Sequence, residues 1–324
     1  MMPTIPVTVL TGFLGAGKTT LLRRILADPQ GIRFGVLVND FGAINIDAEL
    51  IVESTADQVA LANGCICCTI RDDLVAVVAR LIARDPAPEH LLIETSGVSR
   101  PVAVIDAALD PSLAGRTALA GVFCLIDAGE FRALDFAATE LAIEQAAAAD
   151  LILLNKCDIA EPADLAAIEA TLRGPIPSAR FLTTRFANVP PAILFGPQER
   201  GGRDDDDHAH DHDSHDHAHH DHGAEFAAWS WQSSAPLDRT AFRAALRKLP
   251  PDLLRAKGIL IFADRPGERA IFQLVGRRHT LEADAGPPPQ ASALVAIARA
   301  GSLDGAALTT LFDACRALAP DQRR

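Results

Sequence analysis

A chain of 324 residues exceeds the usual size of one domain, so two domains are expected, and 49% hydrophobic residues are enough for a buried core. No uncharged apolar run approaches the roughly 18 residues of a membrane span, which argues against one, and the first residues lack the charged start and apolar core of a signal peptide, so a soluble cytoplasmic protein is expected. The formal net charge of −12 is mostly local: 204–222 holds eight Asp and no Lys or Arg, the remainder carries only −4, and no basic stripe with interleaved aromatics offers a face to nucleic acid.

In chain order, an apolar run (Val7, Val9, Leu10) passes into GFLGAGKTT at 12–20 and then into a stretch whose apolar residues recur at helical spacing. All fixed positions of G-x-x-x-x-G-K-[ST] therefore lie between a strand and a helix, the context of a phosphate-binding P-loop. Gly12, Gly15 and Gly17 let successive N–H groups turn inward around an anion at a helix N-terminus. Lys18 is then placed to reach the β- and γ-phosphates, and the Thr19 hydroxyl to ligate Mg²⁺. A plain glycine-rich turn between a strand and a helix is the alternative.

Short apolar runs follow at 34–39, 90–94, 119–127 and 151–155, most ending in a polar residue, with helical patterns at 71–84, 100–109, 137–149 and 162–172 between them. This alternation predicts an α/β fold, a P-loop NTPase domain with a mainly parallel sheet covered on both faces. Ligands of such sheets bind beyond the carboxyl ends of the strands, which brings Asn39, Asp40, Glu94, Asp127 and Asn155 to the edge of the P-loop. Asn155, Lys156 and Asp158 match N-K-x-D, in which the carboxylate accepts both the ring N–H and the exocyclic amine of guanine. Adenine cannot reproduce that pair, so GTP is predicted over ATP; an Asp158 that merely caps a helix is the alternative. Glu94 opens E-T-S-G after an apolar strand and sets a carboxylate near Mg²⁺, unless it is only a charged strand end.

In that order, GFLGAGKTT, VNDFG (38–42), GCICC (64–68), ETSG (94–97) and NKCD (155–158) resemble the CobW-type branch of metal-handling P-loop GTPases, relatives of the urease and hydrogenase maturation GTPases, many of them regarded as metallochaperones. The resemblance extends to 253–259 and 273–276, which are similar to the family's C-terminal domain. It implies that Gly12, Phe13, Leu14, Gly15, Ala16, Gly17, Lys18, Thr19 and Thr20 form the phosphate site, and that Asn155, Lys156 and Asp158 hold the base. It also makes Asp40, in a switch-like segment, the candidate for sensing Mg²⁺ or the attacking water. Val38 and Ala43 stand where some members carry extra carboxylates, so a metal site here would have to rely on thiolates.

Cys65, Cys67 and Cys68 suit that purpose chemically. Thiolates bind Zn²⁺, Co²⁺ and Cu⁺ strongly, and three of them leave one tetrahedral position for a buffer ligand or an acceptor protein. A loop entering a helix at 69–73 would favour the thiolate form. Inert buried cysteines or a redox pair are the alternatives, although a disulfide between adjacent Cys67 and Cys68 is strained. The other cysteines, Cys124, Cys157 and Cys315, are scattered, so the set is not the disulfide framework of a secreted protein.

Beyond a last strand at 179–184, the stretch 204–222 interleaves His208, His210, His212, His215, His217, His219, His220 and His222 with Asp and carries nothing apolar larger than Ala. Such a tract cannot bury itself; it is read either as a weak collector of Zn²⁺, Ni²⁺ or Co²⁺ or as a plain linker. The remainder predicts a small α+β domain in the order β-α-β-β-β-α, with Asp238 capping a helix over 238–249 and His279 on a strand surface. The expected organisation is a P-loop GTPase domain over 1–197, a His/Asp-rich loop over 198–224 and an α+β domain over 225–324.

Together these readings predict Mg²⁺-dependent GTP hydrolysis, with Lys18, Thr19, Asp40 and Glu94 as its catalytic groups. They couple it to a transition metal, Zn²⁺ first and Co²⁺ as the alternative, delivered to a client metalloprotein. No internal arginine finger can be assigned, so intrinsic turnover is expected to be slow. Cobalt handling for cobalamin synthesis, nitrile hydratase activation, a metal store with structural nucleotide and a nucleotide-dependent homodimer stay open.

Overall fold

The computed structural model describes residues 4–38, 57–60, 69–113, 115–196, 226–284 and 286–317, with 57–60 and 69–73 described by backbone alone. Asp40, Cys65, Cys67, Cys68 and the eight histidines of the tract lie outside these residues. Contacts divide the chain into two units, Met1–Val189 with Val275–Arg278, and Pro190–Leu274 with His279–Arg324.

The first unit runs β1 (Ile5–Gly12), α1 (Lys18–Ala27), β2 (Phe34–Val38), β3 (Asp57–Ala60), α2 (Thr69–Ile82), β4 (His90–Glu94), α3 (Pro101–Ala108), β5 (Thr117–Asp127), α4 (Phe136–Ala148), β6 (Leu151–Asn155), α5 (Pro162–Arg173) and β7 (Phe181–Thr183). Its seven strands lie in the order β3-β2-β4-β1-β5-β6-β7, and every neighbouring pair is parallel. All five residues of β2, β4 and β6 are buried, as a sheet sandwiched between helices requires, which is why their apolar runs are continuous rather than alternating. Among the helices, α2 covers the sheet with Leu74, Val77, Val78, Leu81 and Ile82. The short strand β3, Asp-Gln-Val-Ala, has no apolar run to announce it and is defined by its pairing with β2.

The second unit runs α6 (Pro191–Phe195), β8 (Phe226–Ser233), α7 (Arg239–Leu246), β9 (Leu253–Ile261), β10 (Arg269–Val275), β11 (Arg278–Asp284), β12 (Ser292–Arg299) and α8 (Gly305–Asp313). Its sheet has the order β11-β10-β9-β12-β8, with β12 antiparallel to both β9 and β8. The core gathers around Phe242, whose ring meets those of Phe262, Phe272 and Phe312 at 5.6, 5.4 and 5.9 Å. Asp238 caps α7 as expected, accepting from the Ala241 N–H at 2.7 Å. One strand more is present than the sequence predicts. The polar, half-exposed strand β11 has no buried face to impose an apolar alternation, and His279 is exposed on it.

Candidate functional site

Strand order reverses around β1. The chain lays β4 on one side of it and then crosses to β5 on the other, so the switch point of the sheet lies beyond Gly12, where α/β sheets bind their ligands. Register brings Glu94 level with both Leu10 and Val38, Gly12 level with Leu125, and Asp127 level with Asn155. These sequence-distant residues thus share one edge.

The helix α1 opens directly after Gly17 with no side-chain cap and no acidic residue in its first turn. Its first N–H groups and the positive end of its dipole therefore suit an anion, and a phosphate fits them. Lys18 is buried, and its ammonium donates to Gly12 O at 2.9 Å and Phe13 O at 3.1 Å, so its charge lies over the same turn. The Thr19 hydroxyl donates to Glu94 Oε1 at 2.8 Å, and Glu94 is buried. A hydroxyl and a carboxylate are hard oxygen donors of the kind Mg²⁺ takes, so this donor set fits that ion.

The segment after Glu94 is pressed onto the phosphate turn. The Thr95 N–H donates to Leu10 O at 2.9 Å and the Thr95 hydroxyl to Thr11 Oγ1 at 3.0 Å. A β-carbon at Gly97 would stand 2.8 Å from Leu14 N and 2.9 Å from Leu14 Cα, so only glycine permits this approach. Gly97 is legible as a member of E-T-S-G, but its contact with the P-loop is not.

At the neighbouring strand end, Lys156 has a left-handed backbone (φ 61°) and pairs with Asp127 at 2.7 Å. Asp158 is exposed, and the N-cap of α5 is Glu161, which removes the reading of Asp158 as that helix's cap. Asn155 does something the motif alone does not reveal. Its Nδ2 donates to Ala16 O at 2.9 Å, and its Oδ1 accepts from the Ala187 N–H at 2.8 Å, joining the phosphate turn to the turn after β7. Arg24 adds a second tie by donating to Phe186 O at 2.8 Å. Phe186 and Ala187 both sit at φ 53°, a left-handed turn that no glycine signals in the sequence.

Among the described residues no group of three or more His, Cys, Asp or Glu side chains could hold a metal ion, so the metal candidates are the cysteines and histidines outside them. Among the described thiols, two are buried, Cys124 and Cys315. Burial pushes Cys124 up to about 12, against the opposing charge of Lys18, and burial with the charge of Asp238 pushes Cys315 up to about 11. Both stay protonated at neutral pH and are poor nucleophiles and ligands. Alkylation of the native protein at pH 7, read by peptide mass spectrometry, is therefore expected to leave Cys124 and Cys315 unmodified. Labelling of Cys124 or Cys315 in the native protein at the rate of the unfolded chain would contradict this assignment.

A glycine-rich turn at the switch point, an uncapped helix behind it and N-K-x-D at the adjoining strand end define a P-loop nucleotide-binding protein of the guanine-selecting kind. The family description "CobW/HypB/UreG, nucleotide-binding domain" matches residues 6–183, and "Cobalamin synthesis protein cobW C-terminal domain" matches residues 226–316. The chain belongs to the CobW/HypB/UreG family of P-loop GTPases. It is 33% identical over 314 residues to the zinc chaperone CobW of a Sinorhizobium species, covering 85% of this chain and 86% of that one. It is 34% identical over 311 residues to the zinc chaperone CobW of Pseudomonas aeruginosa, covering 85% and 81%. Among solved structures, the Zn(II)-bound YjiA GTPase from E. coli is similar with a TM-score of 0.45 and 24% identity, covering 98% of this chain and 100% of that one. No helix among the described residues is long and apolar enough to cross a membrane.

Proposed function

We propose that this chain couples Mg²⁺-dependent GTP hydrolysis to the binding of Zn²⁺ by Cys65, Cys67 and Cys68 and to its delivery to a client metalloprotein. Phosphate and base are held by the residues of 12–20 and by Asn155, Lys156 and Asp158. Thr19 and Glu94 would hold Mg²⁺, which neutralises charge developing on the phosphates. The relatives covering most of the chain carry the name zinc chaperone, and a third, from Dictyostelium discoideum, is named a zinc-regulated GTPase metalloprotein activator; zinc and a client are taken from those names.

The observation that carries the coupling is topological. The strand β3 ends at Ala60 and runs parallel to β2 in the sheet whose carboxyl edge bears Gly12 and Glu94, and α2 begins at Thr69. In sequence, the three cysteines fall between these two elements. Loops leaving the carboxyl edge of a P-loop sheet are the ones that respond to a γ-phosphate, so metal affinity and nucleotide state can bias each other reciprocally.

The test is an anaerobic Co²⁺ titration of a variant lacking 204–222, following thiolate-to-metal charge-transfer absorption with Mg²⁺ and a GTP analogue, GDP or an ATP analogue. A one-to-one thiolate band whose affinity differs at least tenfold between GTP analogue and GDP, about 1.4 kcal/mol, is expected, with the ATP analogue without effect. An unchanged band would leave a metal binder with an uncoupled GTPase. No thiolate band would remove the cysteine site.

A further inference from the structure

The helix α4 is alanine-rich, and its one fully buried polar side chain among the described residues is Gln145. Its amide Nε2 donates to Gly97 O at 3.1 Å and to Ser99 O at 3.0 Å, clamping two carbonyls of the segment that follows Glu94. On its other side the same segment is held to β1 through Thr95 and pressed against Leu14 through Gly97. Ser99 closes it internally, its N–H and hydroxyl both donating to Ser96 O. At the surface, Arg100 pairs with Glu144 of α4 at 2.9 Å, next to Gln145.

A buried amide that spends both its hydrogens on one loop is an unusual economy, because side-chain donors to loop carbonyls fix a backbone conformation that apolar packing alone leaves adjustable. We propose that Gln145 is a positioning residue of the nucleotide switch. It holds the Gly97–Ser99 peptides against the P-loop in the arrangement that distinguishes a nucleoside triphosphate from a diphosphate. The role rests on the GTPase reading above. It requires no contact between Gln145 and nucleotide, since Gln145 acts through Gly97, which abuts Leu14 in the phosphate turn. It also links the phosphate side of the site to the base side, because α4 leads directly into β6, which ends at Asn155.

The experiment compares the full-length chain with Gln145→Leu, which fills the same space without donors. Dissociation constants of Mg²⁺ complexes of fluorescent GDP and of a non-hydrolysable imido-GTP are measured, together with kcat and KM for GTP. The expected result is a roughly five- to tenfold loss of preference for the triphosphate analogue and a comparable fall in kcat, with GDP affinity within about twofold of the parent. Where the leucine variant gives no folded GDP complex, Gln145→Glu, isosteric but with a carboxylate facing both carbonyls, is read in the same way. Equal weakening of GDP and analogue, or an unchanged ratio with unchanged kcat, would overturn the positioning role. A parent protein that binds GDP and analogue equally tightly would overturn it while leaving GTP binding intact, and a parent that binds no guanine nucleotide would overturn the GTPase reading as well.

Discussion

Lys18→Ala is expected to lower kcat/KM for GTP by about 10²–10³-fold, the loss typical when a preorganised donor to a developing anionic charge is removed. The geometry behind this is specific. The Lys18 side chain is buried, and its ammonium is held by Gly12 O and Phe13 O at 2.9 and 3.1 Å, within the turn that would surround the phosphates. The positive charge is therefore already held within that turn before substrate arrives. Lys18→Arg is expected to be no rescue, because a planar fork is larger than a compact ammonium and cannot occupy the same 7% exposed position without moving the turn. Steady-state phosphate release measures both variants. Turnover within about threefold of the parent in Lys18→Ala would remove Lys18 from the phosphate site.

The second large effect is expected from Gly12→Ala, in stability as well as activity. Gly12 has φ +133°, a backbone conformation that residues with a β-carbon rarely adopt, and its β-carbon would fall 2.1 Å from the main-chain oxygen of Leu125 in β5. Neither penalty can be relieved by rotating a side chain, since the obstacle is the backbone of the adjacent strand at the centre of the sheet. A loss of about 3 kcal/mol or more follows, with a fall in Tm of roughly 6–12 °C for a unit of this size. Gly15→Ala is the internal control. Gly15 has φ +74° but nothing within 4 Å of its β-carbon position, so only the conformational cost of about 1 kcal/mol applies. Thermal unfolding of the pair separates the clash from the backbone strain, and equal losses in the two variants would show that the Leu125 contact has no weight.

The two effects illustrate how different kinds of information are stored in the chain. The phosphate turn is legible because its chemistry is local: glycines, a lysine and a hydroxyl at fixed spacing create the anion site from neighbouring atoms. The ends of β4, β5 and β6 are nearly as legible, because a parallel sheet buried on both faces demands continuous apolar runs, and Glu94, Asp127 and Asn155 close theirs at the edge. By contrast, β3 and β11 carry weak or polar patterns and exist through pairing with a neighbour, so their sequences hold little trace of them.

The same distinction runs through the site. Local composition determined the glycine turn, the lysine and hydroxyl at the head of α1, the N-K-x-D residues, the cysteine triplet and the histidine tract. Tertiary structure alone decided that Thr19 meets Glu94, that Asn155 joins Ala16 to Ala187, that Gly97 presses on Leu14 and that Gln145 reaches back to Gly97 and Ser99. Each of these contacts spans 32 to 139 positions of sequence for its hydrogen bonds, and a single Thr, Asn, Gly or Gln says nothing about which distant backbone it will meet. That choice is made by parallel pairing and register, which bring the carboxyl ends of β1, β4, β5 and β6 to one edge, because strands buried on both faces lower the free energy most when their apolar runs align.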